Sequence, residues 1–268
     1  MIPLDSNTLI SLPGENSFFS IRYREILSSH DEAVKAIGGN FVRIIEDNRP
    51  DFLVLPEKWI MEKYMEGSSA LSKILEFFQN MSKEFDLTII PGSFSIFRNG
   101  SLYNTSPVIA NGKVLGWSDK ISLYRIEKDE YSPGRDISVF ESKGIKFSVA
   151  VCYDLDFPYY TKIAIRKGAR ILFNPSLIIK QFHEMWHLYV KGRSLENRIP
   201  IISVNSSSEP LGGNSLGTSL VELDRGVILE SHMAEQSVLS YEIDMSRIDN
   251  MIENRMNEDP GKYSFLQE

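Results

Sequence analysis

Phe147-Ser-Val-Ala-Val-Cys152, followed at once by Tyr153-Asp-Leu-Asp-Phe-Pro158, decides how the rest of this chain is read. The first six residues are a short apolar run of the kind that fills a strand buried on both faces. Pro158 turns the chain, and Tyr159 to Lys167 reads as a helix. Cys152 therefore stands at a strand-to-helix corner, at the carboxyl end of a sheet. Open α/β sheets hold their ligands there. It is the only cysteine in the chain, and free cysteine is also among the residues most often buried as inert packing. Position alone leaves both readings standing.

The flanking sequence supplies the rest of an α/β pattern. Phe18 to Tyr23 reads as a first strand. Glu32 to Asp47 has helical spacing, with Ala33, Ile37, Phe41, Ile44 and Ile45 on one stripe. Asp51-Phe-Leu-Val-Leu55 is a short buried strand stopped by Pro56. Ser69 to Phe85 reads as an amphipathic helix and Leu87 to Pro91 as a third strand. Alternation of this kind marks an α/β fold. Then come hairpins. Arg98-Asn-Gly100 separates Ser93–Phe97 from Tyr103–Ala110, and Asn111-Gly112 separates Val108–Ala110 from Val114–Gly116. Asn-Gly between apolar runs is a strong hairpin signal. Beyond the cysteine corner, Ile171–Phe173, a helix from about Phe182 to Asn197, and Ile201–Asn205 continue the pattern. Thr218–Glu222, Val227–Glu230 and Ser237–Ile243 give an antiparallel finish. So many strands beside about four long helices suggest two packed sheets. No linker or repeat divides the 268 residues, so a single domain is expected over 1–268, with 249–268 an extension of unassigned place.

Bulk properties narrow the classes of function. The net charge of −7 argues against nonspecific affinity for nucleic acid or an anionic membrane. One cysteine cannot form an internal disulfide, which suits a reducing compartment. Met1-Ile-Pro-Leu-Asp5 lacks the basic start and apolar stretch of a signal peptide, and no run approaches the ~18 apolar residues of a membrane span. A cytoplasmic protein with no nucleic-acid or membrane partner is expected.

A cysteine hydrolase needs a base and a positive charge for the oxyanion. None of His30, His183, His187 and His232 follows a buried strand, which makes a Cys–His pair unattractive. Glu57 follows the strand Phe52–Leu55 directly, where desolvation can tune a carboxyl group; otherwise it is a surface carboxylate opening a loop. Lys120 follows a hairpin strand and on its own reads as a surface lysine. The charges of Glu127-Lys-Asp-Glu-Tyr-Ser-Pro-Gly134 read as a solvated loop.

Together these pieces resemble the nitrilase, or carbon–nitrogen hydrolase, superfamily. Leu55-Pro-Glu57, Lys120 ahead of Pro133-Gly134, and Val151-Cys152-Tyr-Asp-Leu-Asp-Phe-Pro158 stand in its order. Gly168-Ala-Arg-Ile-Leu-Phe-Asn-Pro-Ser176, Trp186-His187 with Arg193-Ser-Leu-Glu-Asn197, Gly217-Thr-Ser219 and Asp224-Arg-Gly226 resemble its later segments. The resemblance spans about residues 18 to 245. It implies a four-layer αββα sandwich, two mixed sheets with helices on the outer faces, paired through outer helices into a homodimer or larger homo-oligomer. It implies hydrolysis of a small amide or nitrile with no cofactor. Cys152 would be the nucleophile, Glu57 the general base and Lys120 the oxyanion partner beside the backbone N–H of Tyr153. Glu127, with Glu130 as competitor, would be a second active-site glutamate, and Tyr153, Asn174 and Ser176 would touch substrate. Many amidase-like members carry Arg where Asp156 stands and Glu where Tyr159 stands, which makes a dicarboxylate monoamide a less certain substrate. Simple amidase, carbamoyl-amine hydrolase and nitrilase remain open.

One rival motif belongs to another class. His183-Glu-Met-Trp-His187 matches H-E-x-x-H, which on a helix can bind zinc with Glu184 as base. A third ligand is needed, and no extended zincin pattern follows. His183 and His187 as ordinary polar-face residues are the plainer reading. A noncatalytic binding protein on the same fold is the third possibility.

Overall fold

In a computed structural model of the chain, residues 45–205 are described continuously, with 16–21, 219–222, 227–230, 238–258 and a few positions between 29 and 42. The helix expected over 32–47 falls largely outside the described residues.

Two mixed sheets carry the fold. The first contains β1 (Asn16–Ile21), β2 (Phe52–Val54), β3 (Lys63–Met65), β4 (Thr88–Ile90), β5 (Phe94–Arg98), β6 (Ser101–Ala110), β7 (Lys113–Asp119) and β14 (Val238–Ile243). Its order is β14-β1-β2-β4-β6-β5-β3, with β7 paired to β6. The second is β11-β10-β9-β8, built from β8 (Val139–Ser142), β9 (Ile145–Val149), β10 (Ile171–Ser176) and β11 (Ile201–Asn205). Strands β12 (Ser219–Glu222) and β13 (Val227–Glu230) form a separate hairpin. β3 and β8, each too short to show a period, are the strands the sequence pattern does not reveal.

Period-2 alternation explains why the sheets face each other. In β2, Phe52 and Val54 join the core that the second sheet contributes to, while Leu53 packs with the helix α1 (Ser69–Glu84). Burial on both faces is what produces a continuous apolar run. Between the sheets, the rings of Phe52, Phe147 and Phe173 lie 5.4 to 5.6 Å apart. Each such ring pair adds about 1 kcal/mol to the burial of its area. On the first sheet's outer face, α1 presents Leu71, Ile74, Phe78 and Met81, a stripe of helical period, and Ser68 caps it by accepting from Leu71 N. On the second sheet, the helices α3 (Pro158–Arg166) and α4 (His183–Asn197) bury Tyr160, Ala164, Trp186 and Val190 in the same core as Phe147 and Phe173. The result is the expected α/β fold of two mixed sheets flanked by helices. A one-turn helix α2 (Glu127–Glu130) interrupts the loop after β7.

The expected extension is not a loose appendage where it is described. A helix α5 (Met245–Glu258) begins before residue 249 and buries Ile248 and Ile252 in the main core, while Arg170 pairs with Asp249 at 2.8 Å. Its apolar spacing is sparse among charges, which hides it in the sequence.

Past the carboxyl ends of β2 and β4, neighbours in the first sheet, a glycine sets how closely the two chain segments approach. Gly92 has φ +80°, and a Cβ there would lie 1.9 Å from Pro56 O. The collision is with backbone, in the segment that carries Glu57. Gly92→Ala should therefore cost at least about 2 kcal/mol of stability and displace Glu57. Denaturant melts with parallel activity assays check this; a variant as stable and active as the parent contradicts it.

Candidate active site

Three chain segments deliver the site. Glu57 comes directly after β2, held by a bridge to Ser93 and by its own N–H reaching Ser176 O at 3.4 Å. Lys120 follows β7, its N–H bonded to Asn104 O. Cys152 follows β9, which stops at Val149; the chain then enters a 3-10 turn over Cys152–Asp156 rather than continuing as strand.

Cys152 sits in the left-handed region at φ 46°. That conformation is costly for a residue with a side chain and needs neighbours to enforce it. Asp154 is one of them: its carboxylate accepts from Val151 N at 3.1 Å, Ile121 N at 3.1 Å and Ser122 N at 2.6 Å. It thereby ties the cysteine turn to the loop that carries Lys120. Burial pushes the Asp154 carboxyl up to about 7, against the pull of the Ser122 N–H and Lys120. Asn174 is the other, donating to Ala150 O at 2.8 Å and Cys152 O at 3.3 Å. Ser176 and Ser203 both donate to Asn174 Oδ1 at 2.8 Å, and Trp186 Nε1 donates to Ser203.

Asn174 and Ser176, expected beside the substrate, are placed in this scaffold. Both are fully buried, both spend their side chains on this scaffold, and neither lines the cavity. Tyr153 does line it.

Glu57, Lys120 and Cys152 converge, only 2%, 2% and 6% exposed. Lys120 Nζ donates to Glu57 Oε1 at 2.9 Å and pairs with Glu127 Oε2 at 2.7 Å. Between the two glutamates the geometry chooses Glu127, since Glu130 is exposed and pairs with Lys63. Three further contributors escaped the sequence reading. Asn104 donates to Glu57 Oε1 at 2.8 Å and Glu127 Oε1 at 3.1 Å. Lys58 donates to Glu127 Oε1 at 2.9 Å and lies over the Tyr131 ring. Asp154 stood inside the quoted motif without a role. Nothing in a strand such as Tyr103–Ala110 announces Asn104, because its partners are distant in sequence.

The charges of this cluster follow from its contacts. Burial opposes the Lys120 ammonium, but Glu57, Cys152 and Glu127 outweigh it and hold the group well above its usual range. Lys120 is a permanent cation. Burial also works against the Glu127 carboxylate, yet Lys120 and Lys58 bring it down to about 2. Burial and then Glu57 push the Cys152 thiol up, only partly countered by Lys120 and by a hydrogen bond from the Leu177 backbone. Burial thus favours the neutral thiol at Cys152 beside Glu57.

Glu127→Gln should cost on the order of 2 kcal/mol at pH 7. The sign follows from the lowered folded value: the contribution is complete above about 4.5 and disappears as pH falls toward about 2. Denaturant titrations of both proteins should show stability curves that converge over that window. A gap unchanged from pH 7 to pH 3 contradicts the assignment.

A cavity of about 620 Å³ opens over this cluster, walled by Tyr124, Tyr153, Phe182, Trp186 and Tyr189. His183 and His187 are not polar-face residues: both are buried, and His183 Nε2 meets Ile178 O at 3.0 Å. Among the described residues no group of three His, Cys, Asp or Glu converges as a zinc site requires, nor is any helix long and apolar enough to cross a membrane.

The chain is similar to known proteins in sequence and in fold. The sequence model of carbon-nitrogen hydrolases matches residues 24–253. A 2-oxoglutaramate amidase of Bacillus subtilis (strain 168) is 26% identical over 213 residues, 75% of this chain and 80% of the relative. The hydrolase in the agr operon of Staphylococcus aureus is 25% identical over 214 residues, 76% of this chain and 82% of the relative. Among solved structures, Nit3 of Saccharomyces cerevisiae, a member of branch 10 of the nitrilase superfamily, superposes with a TM-score of 0.78 at 20% identity, covering 93% of this chain and 96% of that one. An amidase of Nesterenkonia sp. AN1, with the acetamide moiety of fluoroacetamide added covalently at its active-site cysteine, superposes with a TM-score of 0.77 at 18% identity, covering 94% of this chain and 98% of that one. At such identities these superpositions speak for the fold.

Proposed function

Since this chain belongs to the carbon–nitrogen hydrolase family, we propose that it hydrolyses small non-peptide amides to the acid and ammonia through a thioester on Cys152. The observation that carries this is the buried convergence of a carboxylate, a permanent ammonium and a neutral thiol beneath one cavity. The amidase names of its relatives favour an amide over a nitrile.

Glu57 takes the thiol proton as sulfur attacks the carbonyl carbon. The negative charge that develops on the carbonyl oxygen is met by Lys120 and the backbone N–H of Tyr153. Preorganised donors of this kind contribute about 3 kcal/mol each. The carbon–nitrogen bond then breaks as Glu57 returns the proton to nitrogen, releasing ammonia and leaving the thioester. Water gives a proton to Glu57 and attacks the thioester carbon. The carbon–sulfur bond breaks, the acid leaves, and the proton goes back to sulfur. One water is consumed per amide. Glu57 is buried in the same cluster as Cys152, so the one carboxylate can serve both proton transfers without contact with bulk water.

Glu127, Lys58 and Asn104 hold Glu57 and Lys120 in place rather than exchange protons. Glu127 already accepts from Lys120, Lys58 and the Tyr124 N–H.

Hydroxylamine tests the covalent route. Added to a turnover of a small neutral amide, it should intercept the thioester and yield the hydroxamate at the expense of the acid. Ammonia without hydroxamate would point to direct attack by water, and neither product from any amide would overturn the assignment.

A further inference from the structure

The cavity carries one carboxylate that the hydrolytic steps do not use. Asp156 ends the 3-10 turn that begins at Cys152, and its half-buried side chain lines the cavity with the nucleophile. Glu57 and Glu127, the other carboxylates there, are matched by Lys120 and Lys58. Asp156 has no such cation among the described residues. Arg193 is beside it but is committed elsewhere. Its Nη2 donates to the backbone oxygen of Asp156 at 2.7 Å, its Nε donates to Leu155 O at 3.2 Å, and its Nη1 lies 3.6 Å from Glu196. The Asp156 charge is felt by Tyr189, whose phenol it holds above its usual range.

The surroundings suit a cation. Tyr124, Tyr153, Phe182, Trp186 and Tyr189 all line the same space. Tyr124 and Tyr153 meet edge to face at 5.2 Å, and Trp186 and Tyr189 at 6.2 Å. Aromatic faces attract an ammonium, most strongly when it is partly removed from water. Arg125 and Lys128 also border the cavity, but both are exposed, where solvent and salt screen them. The deeper, half-buried charge is the negative one.

We propose that Asp156, with Tyr189 and the aromatic wall, makes this enzyme selective for amides whose acyl chain ends in an ammonium group. The amide carbon lies at Cys152 and the ammonium is seated against the Asp156 carboxylate. This rests on the amide-hydrolase reading above and adds the substrate class.

Three amides of similar length test it: δ-aminovaleramide, hexanamide and glutaramate, which end in an ammonium, a methyl and a carboxylate. In the wild-type protein kcat/KM for δ-aminovaleramide should exceed that for hexanamide roughly 10-fold, the scale of one charge-assisted hydrogen bond, with glutaramate slowest. Asp156→Asn should bring the ammonium-to-methyl ratio toward about 1, and Asp156→Arg should move the preference to glutaramate. Each ratio is read within one preparation, so a misfolded fraction cancels from it. Wild-type turnover of hexanamide with no preference for the ammonium amide overturns the inference and leaves the hydrolase reading intact. So does an ammonium preference that survives Asp156→Asn. No turnover of any of the three, with no hydroxamate trapped, removes the amide-hydrolase reading and the inference with it.

Discussion

Replacing Cys152 by alanine is expected to lower amide hydrolysis by at least ~10,000-fold, the scale seen when an enzyme loses its nucleophile, while the protein stays folded. The loss is large because nothing nearby can substitute. Lys120 is held as an ammonium by Glu57 and Glu127 and has no lone pair to offer. Glu57 is a base without an acyl-accepting partner once sulfur is gone. The fold should survive because the change is small. The turn is held by Asp154 and Asn174 through backbone groups, none of which belongs to the cysteine side chain. Ammonia release beside a thermal melt checks both halves. Retained hydrolysis in a folded variant would mean that another group carries the chemistry, and zinc content would be the next thing to measure.

The second large effect is expected at Lys120. Lys120→Met keeps the length of the side chain and removes its charge, leaving Glu57 and Glu127 facing each other in a buried site without their shared cation. Breaking a buried ion pair from one side costs about 3–5 kcal/mol, and losing an oxyanion donor costs roughly 100- to 1,000-fold in kcat. The two losses separate. Glu127 keeps Lys58, so adding Glu57→Gln to Lys120→Met removes the charge left without a cation and should recover part of the stability and none of the activity. Urea denaturation of the single and double variants, with kcat on the folded fraction, checks this. A Lys120→Met protein as stable as the parent would contradict the shared-cation arrangement.

The arrangement of the sheets was legible because β2 and the end of β9, Phe147–Val149, are short and buried on both faces. Phe52-Leu-Val54 and Phe147-Ser-Val149 leave no polar face to expose, so the elements on either side had to be helices and a second sheet. Lys63–Met65 and Val139–Ser142 were not legible. Each is a brief edge strand whose pairing partner decides its conformation. The helix Met245–Glu258 was hidden for another reason: its buried face rests on Ile248 and Ile252 among charges, a pattern that left 249–268 an extension of unassigned place.

The site divides in the same way. Glu57, Lys120 and Cys152 each stand at the end of a recognisable strand, but Lys120 alone reads as a surface residue, and their convergence was expected from the resemblance to the carbon–nitrogen hydrolases. Asn174 and Ser176 lie in the expected neighbourhood, and their side-chain hydrogen bonds go to the scaffold under Cys152. The sequence does not reveal that Asn174 donates to Cys152 O and Ala150 O, or that Ser176 donates back to Asn174. Asn104 and Lys58 have partners tens of residues away, so only the folded chain shows that they join Glu57 to Glu127. The choice between Glu127 and Glu130 likewise needed the one-turn helix that aims Glu127 at Lys120 and Glu130 at Lys63.

The most direct measurement is the intact mass of the protein quenched in acid during turnover of a small amide, wild type beside Cys152→Ala, followed by peptide mapping. The wild type should gain the mass of the acyl group on the peptide containing Cys152, and the variant should gain nothing. An acyl adduct on any other residue, or amide turnover in which no adduct ever forms on Cys152, would contradict the thioester mechanism.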